Sequence, residues 1–481
     1  MRRLTALDAQ FLNIEDRTTT GHVGAVVVLD PSTVPHGELD LDAVRAVLEP
    51  RLHLASPFRQ RLVEVPFGLG YPYWVDDPDF DLEYHLREVA LPQPGTPEQL
   101  GEQVARIHSR PLDRSRPLWE MYLVHGLADG EVALYSKVHH AAIDGISGAE
   151  VLAAIMDGTP EPREVDPQDW DPDEVPSSWQ VLPRALASVV DRSADLVTGL
   201  PRSLPHLTAL PGAYQVPGVR ALEEVATVVR ALVGWPASSG SGHRDLVAPR
   251  TPFNGPITAH RRFAYASVPL DEVKKVKNAF GLTVNDVVLA LTAGVLRRWL
   301  LDRDALPSAP LVAAVPVSVR DGDAEAGGNQ VSIMVVTLPT HLADPAARLE
   351  AVQQEVAVAK ADFDTVPATL LEDLSAVLPT SLSGLASRAL FRLVTAPGAL
   401  FNLFVSNVPG PQLPLYIAGG RVKGIYPVSA VSDVSGGLNI TLFSYDGSLD
   451  VGFIACREMV PDVWRMAGYL RDELDGMLAL V

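Results

Sequence analysis

Cysteine is nearly missing from this chain of 481 residues, which holds one, Cys456. A single thiol excludes an internal disulfide framework and a multi-cysteine zinc site, and the cytoplasm is the expected compartment. Long apolar runs are missing too. No window approaches the roughly eighteen uninterrupted apolar residues of a membrane-spanning helix. The opening, MRRLTALDAQFL, has neither the apolar core nor the small-residue cleavage site of a secretory signal, so none is expected. Positive charge is in deficit: 39 Lys and Arg against 59 Asp and Glu give a net charge of −20. That balance argues against nucleic acid as the main partner, because phosphate neutralisation needs basic surface. It also disfavours broad electrostatic adhesion to anionic lipid and leaves only local amphipathic contact.

What is present is globular in composition, 47% hydrophobic and 20% charged, and long enough for two or three domains. Residues 1–158 alternate strand and helix patterns. GHVGAVVVLD (21–30) is a β-branched run ending at Asp30-Pro31, and LDAVRAVLEPRL (41–52) has helical apolar spacing. TPEQLGEQVARIHS (96–109) opens with a helix-start signature, and two apolar strands, WEMYLVHGL (119–127) and VALYSKVHH (132–140), flank the turn ADG. GAEVLAAIMDG (148–158) reads as a helix. From 159 the composition turns acidic and proline-rich. Residues 159–245 form a connector: a solvated stretch, Leu/Val/Ala-rich helical segments, then a Gly/Ser-rich tail. The alternation resumes over 246–481 and ends in LNITLFSYDGSLDVGFIA, a hairpin turning at Asp446-Gly447. The expected fold class is α/β (α+β): two halves of mixed sheets flanked by helices, joined by a long helical connector.

SKVHHAAIDGISG (136–148) places His139 and His140 where an apolar strand runs into a loop ahead of a helix. Carboxyl ends of strands are where α/β proteins commonly hold ligands. An imidazole, with a pKa near ~6.5, accepts and returns a proton near neutrality. An alcohol, about as weak an acid as water at ~15.7, attacks a carbonyl well only if a base removes its proton as the bond forms. Asp144 is placed to orient the ring or to brace the loop, and Gly145 and Gly148 allow close backbone approach. The plainer reading stays open: one histidine buried and hydrogen-bonded, the other facing solvent, Asp144 capping the helix. No second His/Cys/Asp cluster has metal-ligand spacing, so no metal is expected. Residues 145–149 lack the fifth-position glycine of a G-x-S-x-G hydrolase elbow.

HHAAIDG (139–145) matches the HHxxxDG motif of the chloramphenicol acetyltransferase-like superfamily, which includes peptide-synthetase condensation domains. More narrowly, the chain resembles the bacterial wax ester synthase/acyl-CoA:diacylglycerol acyltransferases along nearly its whole length. LTALDAQFLNIED (4–16), DPDFDLEYHLR (77–87), PLDRSRPLWEMYLVHGL (111–127), VNDVVLALTAGVLRRWL (284–300), PVSVR (316–320), FNLFVSNVPGP (401–411) and LNITLFSYDGSL (438–449) carry the likeness. Thr5 stands where serine is commoner.

The resemblance implies two chloramphenicol acetyltransferase-like halves. It implies an O-acyltransferase that moves a long-chain acyl group from coenzyme A to a diacylglycerol or fatty alcohol without an acyl-enzyme. His140 would be the general base, His139 would shape the site, and Asp144 and Gly145 would be structural, with Arg320 a possible partner for Asp144. No cofactor is expected beyond the coenzyme A thioester as co-substrate. Substrate contacts would come from Asn285 and Asp286, from Pro117, Leu118 and Trp119, and from Ser406 and Asn407. Each has a plainer alternative: capping by the Asn-Asp pair, core packing by Trp119, a simple turn at SNVPGP (406–411) rather than a crossover. KKVKNAF (274–280) is either a solvated helix face or a contact for coenzyme A phosphates, and Tyr71, Tyr73 and Trp74 are expected to pack. Oily substrates imply peripheral association with a membrane or lipid droplet, through connector segments if those are not buried between the halves. The competing functions are a condensation-type catalyst fed by a carrier-protein thioester, and a non-catalytic lipid-binding or droplet-coating paralogue.

Overall fold

In the computed structural model the described residues are 1–34, 38–143, 152, 154–166, 168, 170–185, 187, 247–318, 331–363, 401–433 and 435–481. Before the connector lie β1 (Arg2–Arg3), α1 (Ala6–Asn13), β2 (His22–Asp30), α2 (Leu41–Leu48), β3 (Gln60–Val63), β4 (Tyr73–Asp76), α3 (Leu82–His85), β5 (Leu86–Ala90), α4 (Pro97–His108), β6 (Trp119–His125) and β7 (Val132–His139). After it come β8 (Arg261–Pro269), α5 (Leu270–Phe280), α6 (Val284–Leu301), β9 (Leu311–Ser318), β10 (Val331–Leu338) and α7 (Pro345–Phe363). The chain closes with β11 (Leu403–Pro409), β12 (Tyr416–Ile417), β13 (Gly420–Val428), β14 (Leu438–Tyr445), β15 (Ser448–Cys456) and α8 (Trp464–Leu478). Among the described residues β2, α2, α4, β6, β7 and the β14–β15 hairpin form where the patterns place them, whereas most of the connector, after residue 187, and residues 148–151 and 153 of the helix expected over 148–158 lie outside the described residues. Local chemistry explains several boundaries. Thr96 and Gln99 close a capping box at the start of α4, with Pro97 in its first turn. Asp446 and Gly447 both hold positive φ, 40° and 81°, as a two-residue hairpin turn requires.

Two mixed six-stranded sheets make the body, ordered β12-β13-β2-β7-β6-β5 and β10-β9-β11-β14-β15-β8, with a small sheet β1-β4-β3 beside them. The first sheet packs on a core that includes Leu48, Phe58, Trp119 and Leu123. The second packs on α6, α7 and α8, where Val288, Leu291, Leu349, Val352, Leu470 and Leu474 are buried together. Burial of α6 on nearly every side explains why its apolar residues do not confine themselves to one stripe. In this helix layer Glu473 takes salt bridges from Arg348 and from Arg298 Nε, the latter at 2.6 Å. Among the described residues no single helix is long and apolar enough to cross a membrane.

Sheet membership does not follow chain order throughout. β13 belongs by sequence to the second half, yet it pairs antiparallel with β2, from Arg421 opposite Asp30 to Val428 opposite Gly24, with a bulge between Val422 and Gly424. β12 and β13 are therefore strands of the first sheet, and the chain crosses over after SNVPGP. The crossover strand is also pinned to the second sheet. Asp450 on β15 accepts the Ile425 N–H at 2.8 Å and the hydroxyls of Ser267 and Ser448 at 2.7 Å. A Cβ on Gly452 would lie 1.8 Å from the Pro427 carbonyl oxygen, so the two sheets meet backbone to backbone. The connector's described helical residues, 178–185, sit elsewhere: Val181 and Ala185 pack on Val63, Val65, Tyr73 and Val75 of the small sheet.

Gly452→Ala is expected to lower the free energy of unfolding by at least about 2 kcal/mol in chemical denaturation, because the added methyl meets rigid backbone. Gly468→Ala in α8, where a Cβ has nothing within 4 Å, is expected to be neutral or stabilising.

Candidate active site

β7 delivers the two histidines. It is buried from Val132 to His139, paired with β6 on one side and with β2 on the other, where His22 stands opposite His139. Backbone hydrogen bonds fix the exit: His139 N–H donates to Leu118 O at 2.9 Å, and His140 N–H donates to Gly21 O at 2.8 Å. A short 3₁₀ turn, His140–Ala142, follows.

His139 points into protein. Its Nδ1 accepts the Ala141 N–H at 3.0 Å, which leaves the proton on Nε2, and Nε2 lies 3.1 Å from Glu15 Oε1. Glu15 also accepts the Gly21 N–H at 2.8 Å and Arg114 Nη2 at 2.8 Å, while Arg114 Nη2 donates to Leu12 O at 2.7 Å. Burial alone would raise the Glu15 pKa. The His139 ring, Arg114 and the Gly21 amide outweigh it and hold the carboxyl well below the usual range. A methyl on Gly21 would come within 2.9 Å of His139 Nε2, so residues 15–21 close tightly around this ring. His22 adds a third ring beside Glu15, 3.7 Å away, with its pKa pushed down to about 3 by burial first and by the nearby Lys137 ammonium.

His140 is different. It is partly buried, with Nδ1 enclosed and, among the described residues, without a hydrogen-bond partner. Phe11 of α1 stacks on the ring, centroids 3.9 Å apart and planes 19° from parallel. Burial, followed by the neighbouring His139, pushes its pKa down to about 4. At neutral pH the ring is uncharged, and among the described residues no carboxylate pairs with it.

The second half brings two of the expected residues together. Asn407 Nδ2 on β11 lies 3.5 Å from Asn285 Oδ1 in the first turn of α6. Asp286 is occupied locally: its carboxylate accepts the Thr283 N–H at 2.8 Å and its own N–H donates to Thr283 Oγ1 at 3.2 Å, a capping box. Ser406 is partly buried on β11, opposite Thr441 of β14. Pro117, Leu118 and Trp119 are core residues rather than an open wall. Trp119 Nε1 donates to Phe58 O at 3.0 Å and its ring stacks on His85 at 4.6 Å, so the segment's link to the site is the Leu118 carbonyl that holds His139. Tyr71, Tyr73 and Trp74 are buried. Lys274 and Lys275 lie on the exposed face of α5. Asp144, Gly145 and Arg320 lie outside the described residues. No group of three or more metal-binding side chains occurs among the described residues. Glu15 is the functional candidate that motif reading missed; its only sequence signal is its place within LTALDAQFLNIED, eleven residues after Leu4 and far from the histidines.

Comparison with known proteins agrees along the chain. Residues 4–288 match the wax ester synthase/diacylglycerol acyltransferase catalytic domain, and residues 327–478 match the WS/DGAT C-terminal domain. A putative diacylglycerol O-acyltransferase of Mycobacterium tuberculosis is 37% identical over 99% of this chain and 90% of its own length. A probable diacylglycerol O-acyltransferase of the same species is 35% identical over 98% of this chain and 97% of its own. The solved wax ester synthase/diacylglycerol acyltransferase from Marinobacter aquaeolei superposes with a TM-score of 0.67 at 31% identity, covering 99% of this chain and 98% of that one. A starter condensation domain of rhizomide synthetase shares the fold, with a TM-score of 0.52 at 13% identity over 100% of this chain and 94% of that one.

Glu15→Gln is expected to unfold with about 2–3 kcal/mol less free energy near neutrality, since it weakens several charge-assisted contacts. The carboxyl's folded pKa lies below its unfolded value of 4.5, so the stabilisation is present above that value and fades as pH falls below it. Denaturation curves of the two proteins should stay separated from pH 8 to 5 and converge at lower pH.

Proposed function

The chain belongs to the wax ester synthase/diacylglycerol acyltransferase family and is an O-acyltransferase, and on that premise we propose that His140 is the general base of a direct acyl transfer from coenzyme A to a hydroxyl. The carrying observation is the contrast between adjacent rings: His139 lies against the Glu15 carboxylate and accepts the Ala141 N–H, whereas His140 is uncharged and stacked under Phe11, with no carboxylate paired to it among the described residues. With Nδ1 enclosed, Nε2 is the nitrogen that meets the acceptor. As the hydroxyl oxygen of a diacylglycerol or long-chain alcohol attacks the thioester carbonyl, its proton passes to Nε2. The carbon–oxygen bond forms, the carbon–sulfur bond breaks, and the same proton goes to the departing thiolate, leaving the ester and free coenzyme A. A ring with so low a pKa returns that proton readily, and no covalent intermediate on the protein is needed. Asn285 and Asn407 are assigned to positioning the thioester group. The substrates dissolve in lipid, so the protein works at the cytoplasmic face of a membrane or at a droplet surface.

The test is release of free coenzyme A from long-chain acyl-CoA with diacylglycerol or a long-chain alcohol as acceptor. His140→Ala is expected to lower turnover by about 10²–10⁴-fold with its unfolding midpoint preserved. Normal turnover by a folded His140→Ala protein removes the assignment. The dependence of kcat/KM on pH is expected to stay flat down to about pH 5 and fall as pH approaches 4, where the ring in the free enzyme takes up a proton. An acid limb centred at the ordinary value, 6.5, would show that the ring is not desolvated.

A further inference from the structure

Two large aromatic side chains stand in solvent against each other, far from either main core. Phe67 is 78% exposed and Trp179 is 64% exposed. Their rings meet edge to face, centroids 5.9 Å apart, although one belongs to the turn Pro66–Gly68 and the other to the helical residues 178–185 of the connector. Phe67 sits at φ 57° and ψ 13°, a left-handed conformation that disfavours any side chain, followed by Gly68 at φ 63°. On its other face the connector helix buries Val181 and Ala185 against the small sheet, so it is apolar toward protein and aromatic toward solvent.

The turn that presents Phe67 also walls a cavity of about 200 Å³. Val65, Gly68 and Tyr71 form one side, Ala9, Leu12 and Asn13 of α1 form another, and the Glu64–Arg114 ion pair lines it as well. From the same helix, Phe11 lies on His140. Patch, cavity, α1 and base therefore follow one another in space.

We propose that the Phe67–Trp179 pair is the anchor that seats the protein on a lipid–water interface, with the adjoining cavity turned toward the lipid. The indole of Trp179, apolar with one N–H, favours that boundary, and the phenyl ring of Phe67 adds apolar area beside it. The surroundings carry both signs: Arg184 is exposed on the connector helix, Asp173 and Glu174 are exposed just before it, and Glu64 is paired with Arg114 at 3.4 Å. With a net charge of −20 on the chain, the fitting surface is zwitterionic or neutral rather than strongly anionic. Two side chains fall far short of the roughly 1,000 Å² that a stable protein interface buries, and they fit a weak, reversible contact with a lipid surface. The proposal rests on the acyltransferase reading for why a lipid surface is visited, and its test is separate.

Purified protein is floated with phosphatidylcholine vesicles containing diacylglycerol. Wild type is expected to rise with the vesicles, and Phe67→Ser/Trp179→Ser to bind them at least about tenfold more weakly with an unchanged unfolding midpoint. Phe67→Gly, which removes a ring while relaxing the left-handed turn, should also bind more weakly and be no less stable. Coenzyme A release with a water-soluble short-chain alcohol should be the same in all of them, while release with vesicle-borne diacylglycerol falls in step with binding. Equal flotation of wild type and double variant, or no flotation of wild type, overturns the anchor. So does a wild-type dimer that the double variant converts to monomer without any loss of flotation, since the pair is then a contact between copies of the chain. A wild type that floats but releases no coenzyme A with either acceptor overturns the acyltransferase reading alone.

Discussion

The pairing of β13 with β2 is the constraint from which the arrangement follows. A strand from the second half completes the first sheet, so the two halves share one hydrogen-bonded ladder as well as a packed boundary. Asp450 and Gly452 hold the other side of β13 against β15, the first by accepting a backbone N–H in a buried setting, the second by having no side chain. β2 is thus clamped between β13 and β7. The residue just before it, Gly21, accepts the His140 N–H through its carbonyl. The position of His140 depends on a ladder whose other strand comes from the far half of the chain.

Adjacent histidines take different work because a strand ends between them. His139 is the last residue of β7 and follows its alternation inward, where a carboxylate and an amide use both nitrogens. His140 has left the ladder, and its ring lies under Phe11. Burial acts on all of these groups in one direction, toward the uncharged form. Hydrogen bonds and opposite charge overcome it at Glu15, and nothing does at His140. One ionised group and one neutral group are kept a short distance apart by environment alone.

Much of this was legible in the residues. β2, β6, β7 and the β14–β15 hairpin follow β-branched runs bounded by turn residues, and Thr96-Pro97 marks α4. Those signals are local and survive in any tertiary setting. The sheet to which GRVKGIYPV (420–428) belongs was not legible, because an alternating strand states which of its faces is apolar and says nothing about its neighbour. Glu15 escaped for the same reason: a carboxylate among many acidic residues acquires meaning only when folding brings a histidine from position 139 to it. The Pro117–Trp119 segment was visible as a motif, and its role as core and backbone support emerged only with the partners Phe58, His85 and His139 in place.

The borrowed strand also bears on how the chain divides. A fragment cut in the connector would keep every residue of the histidine motif yet lack β13, leaving β2 as an open edge whose unpaired amides and carbonyls run along Val26, Val27 and Val28. Such an edge invites another copy of itself. The complementary fragment would carry β13 with no sheet to join, so sequence halves and folding units do not coincide, and both pieces are exposed to aggregation while apart.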